Sequence, residues 1–488
     1  MTLARRAGNA LLWRSVGLAV EKVVFLVRIF VLARLVDPAD FGLVAIGMLS
    51  LALMDSLTNF GIVPALVQQP ANDKRHLDTA WTLALTRGLI INATIFVVAP
   101  FIASAFHQPD ATNIIRTLAL ASLLRAAASI EIATVTRELK FERLVMIRLA
   151  AAVSNTIVSI LLADSLGAWA IVWGAVTGGA VYLFVSYIIA PYRPRLRLQG
   201  RATARLMEFG RWIFAISVIG AATDAAIRWI VTDRFDIAAL GLFFMATRLA
   251  YLPHQLITEL VCEVAFPLYA KVRGNAEKTA YAFRAVLIST FAMLVPVCAI
   301  FVVVIPTLVS EVLGDRWAGA ATVMQLLVLV SMAGSIGDTI VPLLMGIGRP
   351  KQVAVLELLQ LVVLCPVAWV LVDRYGLAGA GLALLASVLI SQILAIRYVM
   401  KLVDKPFLGI GGSSLAIGGA TLAGTAISLL IIQVLSGLPA LVLAGLVGPV
   451  TIALTILYLD RVFRLGLVSR IAEPFPILAR FMPNAATD

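Results

Sequence analysis

The chain has 488 residues, of which 61% are hydrophobic and only 14% are charged, and its mean hydropathy is +0.99. These values lie outside the range of soluble globular domains and are typical of proteins whose helices cross a membrane many times. The formal net charge is +12, but Lys and Arg concentrate in the segments between apolar runs. That placement is explained by membrane topology, so we expect no nucleic-acid partner.

Fourteen apolar runs follow one another along the chain, each long enough to cross a bilayer, which takes about 20 helical residues. Short polar segments connect them, and Lys and Arg favour alternate connections. The resulting bias predicts a multi-pass membrane protein with both termini in the cytoplasm. The predicted spans are 12–35, 41–67, 79–105, 112–136, 144–163, 168–190, 208–232, 238–268, 281–309, 319–346, 352–372, 377–399, 410–434 and 438–459.

A weak internal repeat relates the first six spans to the next six. "DPADFGL" (37–43) aligns with "DIAALGL" (236–242), and "ADSLG" (163–167) aligns with "VDRYG" (372–376). Two halves of like orientation around a central cavity are a known transporter plan. The predicted organisation is an N-terminal six-helix lobe (1–190), a basic cytoplasmic linker (191–207), a second six-helix lobe (208–402), two extra helices (403–464) and a cytoplasmic tail (465–488).

Basic residues interrupt several spans near the predicted membrane midplane. Each would cost about 2.5–3.5 kcal/mol if it faced lipid, so we expect these residues to line a water-filled cavity and to bind substrate. Arg14, Arg148 and Arg228 lie nearer to span ends, and we expect their side chains to reach lipid headgroups. The residues assigned to the cavity are Lys22, Arg28, Arg87, Arg125 and Arg248.

Acidic residues at the same depth are fewer, namely Glu21, Asp55 and Asp224. They are candidates for ion coupling or for charge pairing, and the i, i+4 spacing of Asp224 and Arg228 favours pairing. The cavity should therefore be net positive and suit an anion, phosphate in particular, because the Arg guanidinium offers a planar fork of donors.

Polar uncharged residues also mark some spans. Asn155, Tyr251 and Gln255 could contact sugar hydroxyls or could cross-link helices, and the sequence leaves both alternatives open. The three cysteines lie far apart in apolar segments, where small buried side chains are expected. His76, His107 and His254 are isolated in the sequence, so we expect no catalytic residue, metal site or cofactor.

Five motifs in register resemble bacterial polysaccharide exporters of the Wzx type. This is the colanic-acid-exporter-like branch of the multidrug/oligosaccharidyl-lipid/polysaccharide superfamily. The similarity runs from about residue 12 to residue 402. The motifs are "DFGLVAIGMLSLALMDSLTNFGIVPALVQQ" (40–69), "TRELKFERL" (136–144), "EVAFPLYAKV" (263–272), "LGDRWAGA" (313–320) and "GRPK" (348–351).

The resemblance implies an all-α fold, with two six-helix lobes forming a V around a cationic cavity and two extra helices that could form a lipid-tail groove. It implies a non-enzymatic flippase of the bacterial cytoplasmic (inner) membrane. Such a protein moves undecaprenyl-pyrophosphate-linked oligosaccharides to the periplasmic leaflet by alternating access, for exopolysaccharide, capsule or O-antigen assembly. The expected partners are that glycan, membrane lipids, a polysaccharide polymerase and a chain-length regulator, and the protein is expected to be a monomer.

Three alternatives remain open at the level of sequence. A lipid II flippase of the same superfamily shares the predicted span number. A drug or cation antiporter usually has twelve spans and acidic sites, which weighs against it. A membrane glycosyltransferase or ligase belongs to a different class, and it would need a sizeable outer loop or an acid cluster for its chemistry.

Overall fold

The computed structural model describes residues 3–58, 74–138, 140–196, 203–272 and 274–463. Within these ranges the regular structure is helical and contains no β-strand. The predicted tail (465–488) and part of the predicted linker lie outside the described residues. The α-helices are α1 Leu3–Leu35, α2 Pro38–Thr58, α3 Lys74–Ala105, α4 Ala111–Ala126, α5 Ile132–Arg137, α6 Phe141–Leu166, α7 Ala168–Ile189, α8 Thr203–Arg234, α9 Ile237–Ala250, α10 Leu252–Val272, α11 Ala276–Leu308, α12 Ala320–Gly346, α13 Pro350–Tyr375, α14 Leu377–Leu402, α15 Gly411–Val434 and α16 Gly437–Phe463.

Twelve helical segments of the described chain are long and apolar enough to cross a membrane. The predicted all-α, polytopic fold class is therefore confirmed. Two of the fourteen predicted spans fall outside the twelve, each for a physical reason. Helix α1 has 33 residues but carries too many charges along its length. Helix α4 has only 16 residues and ends at Ala126, because the predicted span 112–136 breaks there before α5 begins.

The chain separates into two compact units, Met1–Gly241 and Leu242–Asp488. In the first unit α6 packs against α1 and α7, and α4 packs against α2, α3 and α7. In the second unit α11 packs against α10, α12, α15 and α16, while α14 packs against α12 and α13. The predicted lobe boundaries at residues 190 and 208 stay a prediction.

The second pair of aligned motifs adopts matching backbone structure. Gly167 connects α6 to α7 with φ +51°, and Gly376 connects α13 to α14 with φ +63°. Positive φ values favour glycine, because it has no Cβ to collide with the backbone. In the first unit, Asp40 accepts a hydrogen bond from the backbone N–H of Ala168 at the start of α7. These glycines allow two long antiparallel helices to meet through one residue.

The first pair of aligned motifs forms a reciprocal close contact within the first unit. A Cβ on Gly42 would lie 2.1 Å from the carbonyl oxygen of Ile237, the first residue of α9. A Cβ on Gly241 would lie 1.8 Å from the carbonyl oxygen of Pro38, the first residue of α2. Each glycine therefore packs on the first turn of the other helix, and neither position has room for a side chain.

The segment after α7 is tied back onto the first unit by hydrogen bonds. The Tyr192 hydroxyl donates to Asp78 Oδ1 over 2.6 Å, and Asp78 is buried. Trp81 Nε1 and the Tyr187 hydroxyl both donate to the carbonyl oxygen of Ala127. Burial and the hydrogen bond to Asp78 raise the pKa of Tyr192, so its hydroxyl keeps the proton that it donates.

The last two helices present a wide apolar surface. From residue 406 to residue 459 the sequence contains no Asp, Glu, Lys, Arg or His. Leu415 and Leu422 on α15 are 79% and 73% exposed. Such side chains are stable in contact with lipid, as expected for a membrane-spanning pair.

Candidate functional site

A cavity of about 420 Å³ lies within the first unit. Helices α1, α4, α6 and α7 form its walls. These helices contribute both charged and apolar groups to the lining. The lining residues are Glu21, Val24, Phe25, Arg28, Arg125, Arg148, Ala151, Ala152, Asn155, Thr156 and Tyr182.

Three arginines and one glutamate give this cavity an excess of positive charge. Arg28 comes from α1, Arg125 from the last turn of α4 and Arg148 from α6, so three separate helices supply the guanidinium groups. Arginines from different helices can approach one anion from several sides, which favours a multiply charged oxyanion such as a diphosphate.

Tyr182 on α7 connects the charged groups of the cavity. The Cζ atom of Arg125 lies 5.7 Å from the centre of the Tyr182 ring, within the range of a cation–π contact. Arg148, Arg125 and Glu21 all lie close enough to interact electrostatically with the Tyr182 hydroxyl. The tyrosine therefore helps to hold like-charged arginines around one space.

Asn155 lines the same cavity one helical turn before Ser159. The Ser159 hydroxyl donates to Asn155 Oδ1 over 3.1 Å, which fixes the orientation of the amide. The facing residue on α7 is Gly174, where a Cβ would lie 1.9 Å from Ser159 Oγ. Close packing of α6 on α7 therefore requires glycine here, and it sets the position of Asn155.

Four predicted site residues thus come together, namely Glu21, Arg28, Arg125 and Asn155. Lys22 follows Glu21 on α1 but is not among the residues that line the cavity. The roles of all five residues in substrate binding or coupling stay predictions.

Other predicted residues lie elsewhere in the two units. Arg87 on α3 donates through Nη2 to Asp55 Oδ1 over 3.0 Å and to the Asp55 carbonyl oxygen over 3.1 Å. This ion pair joins α3 to α2, so a partner on a neighbouring helix neutralises the Arg87 charge. Asp224 and Arg228 form an ion pair at 2.9 Å, which confirms the pairing that their spacing predicted.

In the second unit, Arg248 stacks over the Phe244 ring, with 5.0 Å between its Cζ atom and the ring centroid. Gln255 is exposed. Tyr251 packs edge-on against His254, with ring centroids 6.2 Å apart. His254 is isolated in the sequence but not in space, because its Nε2 lies 2.8 Å from Asp338 Oδ2 on α12.

Sequence reasoning missed other residues that line the cavity, among them Arg148 and Tyr182. Arg148 was expected at the lipid headgroups because it lies near a predicted span end, yet its side chain lines the cavity. Its spacing of seven residues from Asn155 places both on one face of α6, and that was the available signal. Tyr182 carried no comparable signal in its apolar surroundings.

The fold and the cavity define the class of protein. This all-helical, multi-pass membrane protein is similar in structure to the lipid II flippase MurJ in its inward closed conformation. The TM-score is 0.73 at 15% identity, and the match covers 93% of this chain and 99% of that one. At this identity the likeness establishes the fold alone.

The family follows from the sequence itself. Residues 31–322 match the family described as "Polysaccharide biosynthesis protein", and the chain belongs to that family. It is 25% identical over 415 residues to the lipopolysaccharide biosynthesis protein WzxC of Escherichia coli (strain K12), covering 84% of this chain and 83% of WzxC. It is 22% identical over 324 residues to the succinoglycan biosynthesis transport protein ExoT of Rhizobium meliloti (strain 1021), covering 66% of each chain.

Proposed function

We propose that this protein is a flippase for undecaprenyl-pyrophosphate-linked oligosaccharide repeat units, serving exopolysaccharide, capsule or O-antigen assembly. The observation that carries the proposal is the cavity in which Arg28, Arg125 and Arg148 converge from three helices of a family member. The names of WzxC and ExoT, which refer to polysaccharide synthesis and transport, support the same substrate class.

The proposed chemistry is recognition of the diphosphate by guanidinium groups. Each charge-assisted hydrogen bond contributes about 1.5–3 kcal/mol, while Asn155 and Thr156 supply polar groups for the adjoining sugar. The polyprenyl chain would stay in lipid throughout the transfer. No covalent bond changes in this cycle, so the protein acts as a transporter and not as an enzyme.

The proposed setting is the bacterial inner membrane, with both termini in the cytoplasm. The partners would be the lipid-linked glycan and membrane lipids, with a polymerase and a chain-length regulator acting on the exported product. A monomer would suffice, because the cavity is formed by helices of one unit.

A lipid II flippase is the second candidate, favoured by the structural similarity to MurJ over nearly the whole of both chains. It shares the lipid diphosphate and differs in the glycan. A drug or cation antiporter is disfavoured, because the excess of positive charge in the cavity would repel a cation.

The test uses the full chain reconstituted in vesicles with a fluorescent undecaprenyl diphosphate as probe. Access of a membrane-impermeant quencher reports movement of the probe between leaflets. Loss of one guanidinium contact in Arg148→Gln or Arg125→Gln should slow movement by about 10-fold or more, since 1.4 kcal/mol corresponds to a factor of ten.

Arg143→Gln is the matched control, because Arg143 is exposed on the same helix as Arg148 and does not line the cavity. It should move the probe at the wild-type rate. Equal rates for Arg148→Gln, Arg125→Gln and Arg143→Gln would show that the cavity does not bind the diphosphate. Lipid-linked glycans of the two types, added in turn, separate the first candidate from the second.

A further inference from the structure

A histidine and an aspartate form a close pair inside the second unit. His254, near the start of α10, places Nε2 at 2.8 Å from Asp338 Oδ2 on α12. The two side chains are 22% and 15% exposed. Both belong to segments apolar enough to cross a membrane, Ile237–Glu259 and Ala320–Gly346. Ionisable residues in such segments are costly and usually serve a function.

The pair lies beside a break in the helical backbone. Helix α9 ends at Ala250, α10 begins at Leu252, and Tyr251 forms the turn between them. Pro253 has no N–H to donate, so one backbone hydrogen bond is missing next to His254. The N–H groups of Tyr251 and Gln255 still donate one turn back, to Thr247 and Tyr251. Interrupted membrane helices commonly mark sites where ions or substrates bind.

Among the described residues, the titratable groups near the pair include Tyr251, whose ring packs edge-on against His254. Cys262 on α10 and Cys298 on α11 lie close enough to Asp338 to interact with it electrostatically. Glu259 is exposed and lies about 140° around α10 from His254. Helix α12 also packs against α10, and the acid on it that faces His254 is Asp338 itself. The imidazole is therefore the basic group of this cluster.

Protonation changes the net charge of the pair by one unit. Neutral His254 and the Asp338 carboxylate together carry one negative charge. In both states the Nε2–H group donates to Asp338 Oδ2. When the other ring nitrogen, Nδ1, takes a proton from water, the pair becomes a neutral ion pair joined by a charge-assisted hydrogen bond. The apolar interior distinguishes strongly between these two states, because an uncompensated charge is costly there.

One face of α10 leads from the pair toward the C-terminal end of the helix. Thr258, Cys262 and Tyr269 lie within about 80° of His254 around the axis, and Tyr269 is about 22 Å further along it. The Tyr269 hydroxyl is fully buried and has no hydrogen-bond partner within the described part of the chain. A buried hydroxyl in this state can hydrogen-bond to water that enters along the face.

We propose that His254 and Asp338 form a proton-binding site that couples a proton gradient to transport. The proposal rests on the proposed flippase function. One proton enters from water on one side, resides on the His254 imidazole opposite Asp338, and leaves to water on the other side. The change in net charge at the break before α10 biases the second unit between two conformations.

The test compares probe movement with and without a pH gradient. Full-length protein in vesicles carries the fluorescent undecaprenyl diphosphate, and a gradient is imposed in each direction in turn. One coupled proton can raise the driving ratio by at most ~10-fold per pH unit. Wild-type protein should move the probe faster under one gradient polarity, whereas His254→Gln and Asp338→Asn should lose that gain and still move the probe at equal pH.

His107→Gln is the matched control, because His107 is an exposed turn residue of the first unit, and it should keep the full gain.

A second experiment leaves His254 and Asp338 unsubstituted and modifies the histidine chemically. In protein carrying His76→Gln and His107→Gln, diethylpyrocarbonate can modify only His254 among histidines, and it should abolish the gain. If the wild-type protein moves the probe at the same rate with and without the pH gradient, the proton site is refuted and the flippase function is not. Absence of any movement would overturn the flippase function and this inference with it.

Discussion

The reciprocal glycine contact leads to a sharp prediction about stability. In Gly241→Ala the new Cβ would lie 1.8 Å from the Pro38 carbonyl oxygen. Because non-bonded heavy atoms prefer separations of about 3.5 Å, relief of this clash requires a movement of about 1.7 Å. The atom in the way is backbone, which cannot rotate aside as a flexible side chain can. Overpacking of this kind typically costs about 1–3 kcal/mol.

Gly220→Ala is the matched control for this variant. Gly220 lies inside α8 of the same unit, and a Cβ there would meet nothing within 4 Å. Alanine in a helix interior is about 0.5–1 kcal/mol more favourable than glycine, so this change should be neutral or stabilising.

The measurement is the fraction of purified protein that remains monodisperse in detergent after heating. Gly241→Ala should lose monodispersity at a lower temperature than wild type, and Gly220→Ala should not. Gly42→Ala should resemble Gly241→Ala, and the double variant should cost less than the sum, because both changes separate the same two helices. If Gly241→Ala is as stable as Gly220→Ala, the close contact does not exist in the folded protein.

Three other contacts allow equally direct tests. Tyr192→Phe leaves the buried Asp78 carboxylate without its hydroxyl donor and should destabilise the protein by about 1–3 kcal/mol in thermal melts; unchanged melts would mean that the segment after α7 is not anchored there. Because Arg87 and Asp55 are both partly exposed, a double-mutant cycle with alanine should give a coupling energy of about 0.2–1 kcal/mol, and a value of zero would contradict the pairing. In protein lacking its native cysteines, Arg28→Cys should react with a water-soluble thiol reagent faster than Val27→Cys, because Val27 is exposed but does not line the cavity. Equal reaction of both would mean that the cavity gives Arg28 no special access to water.

Much of the fold could be predicted from the sequence, because the energy of burying helices in lipid depends on composition and length. The difference at α4 shows the limit of that reasoning. Residues 112–136 are apolar enough for a continuous span, but the helix ends at Ala126 and Arg125 occupies its last turn. Helix ends of this kind depend on tertiary contacts, such as the two side-chain donors that hydrogen-bond to the Ala127 carbonyl oxygen.

The candidate site was partly predictable for a similar reason. Arg28 and Arg125 stand out because charge is costly in an apolar span. Arg148 did not, because counting from a span end does not tell which way a side chain points. The pairs Arg87–Asp55 and His254–Asp338 join different helices. Their partners depend on the register between those helices, which one sequence does not reveal.

Helix α1 is held mainly by one neighbour, α6. The two helices approach closely at Gly17, where a Cβ would lie 2.3 Å from Val145 Cγ2. Arg28 lies about 16 Å further along α1 from that point, so a rotation of the helix about Gly17 would displace Arg28. A tilt of about 10° about that point would move Arg28 by about 3 Å. If the cavity binds an anion as proposed, a small tilt of α1 alone would change the distance between Arg28 and the arginines of α4 and α6, and with it the strength of binding.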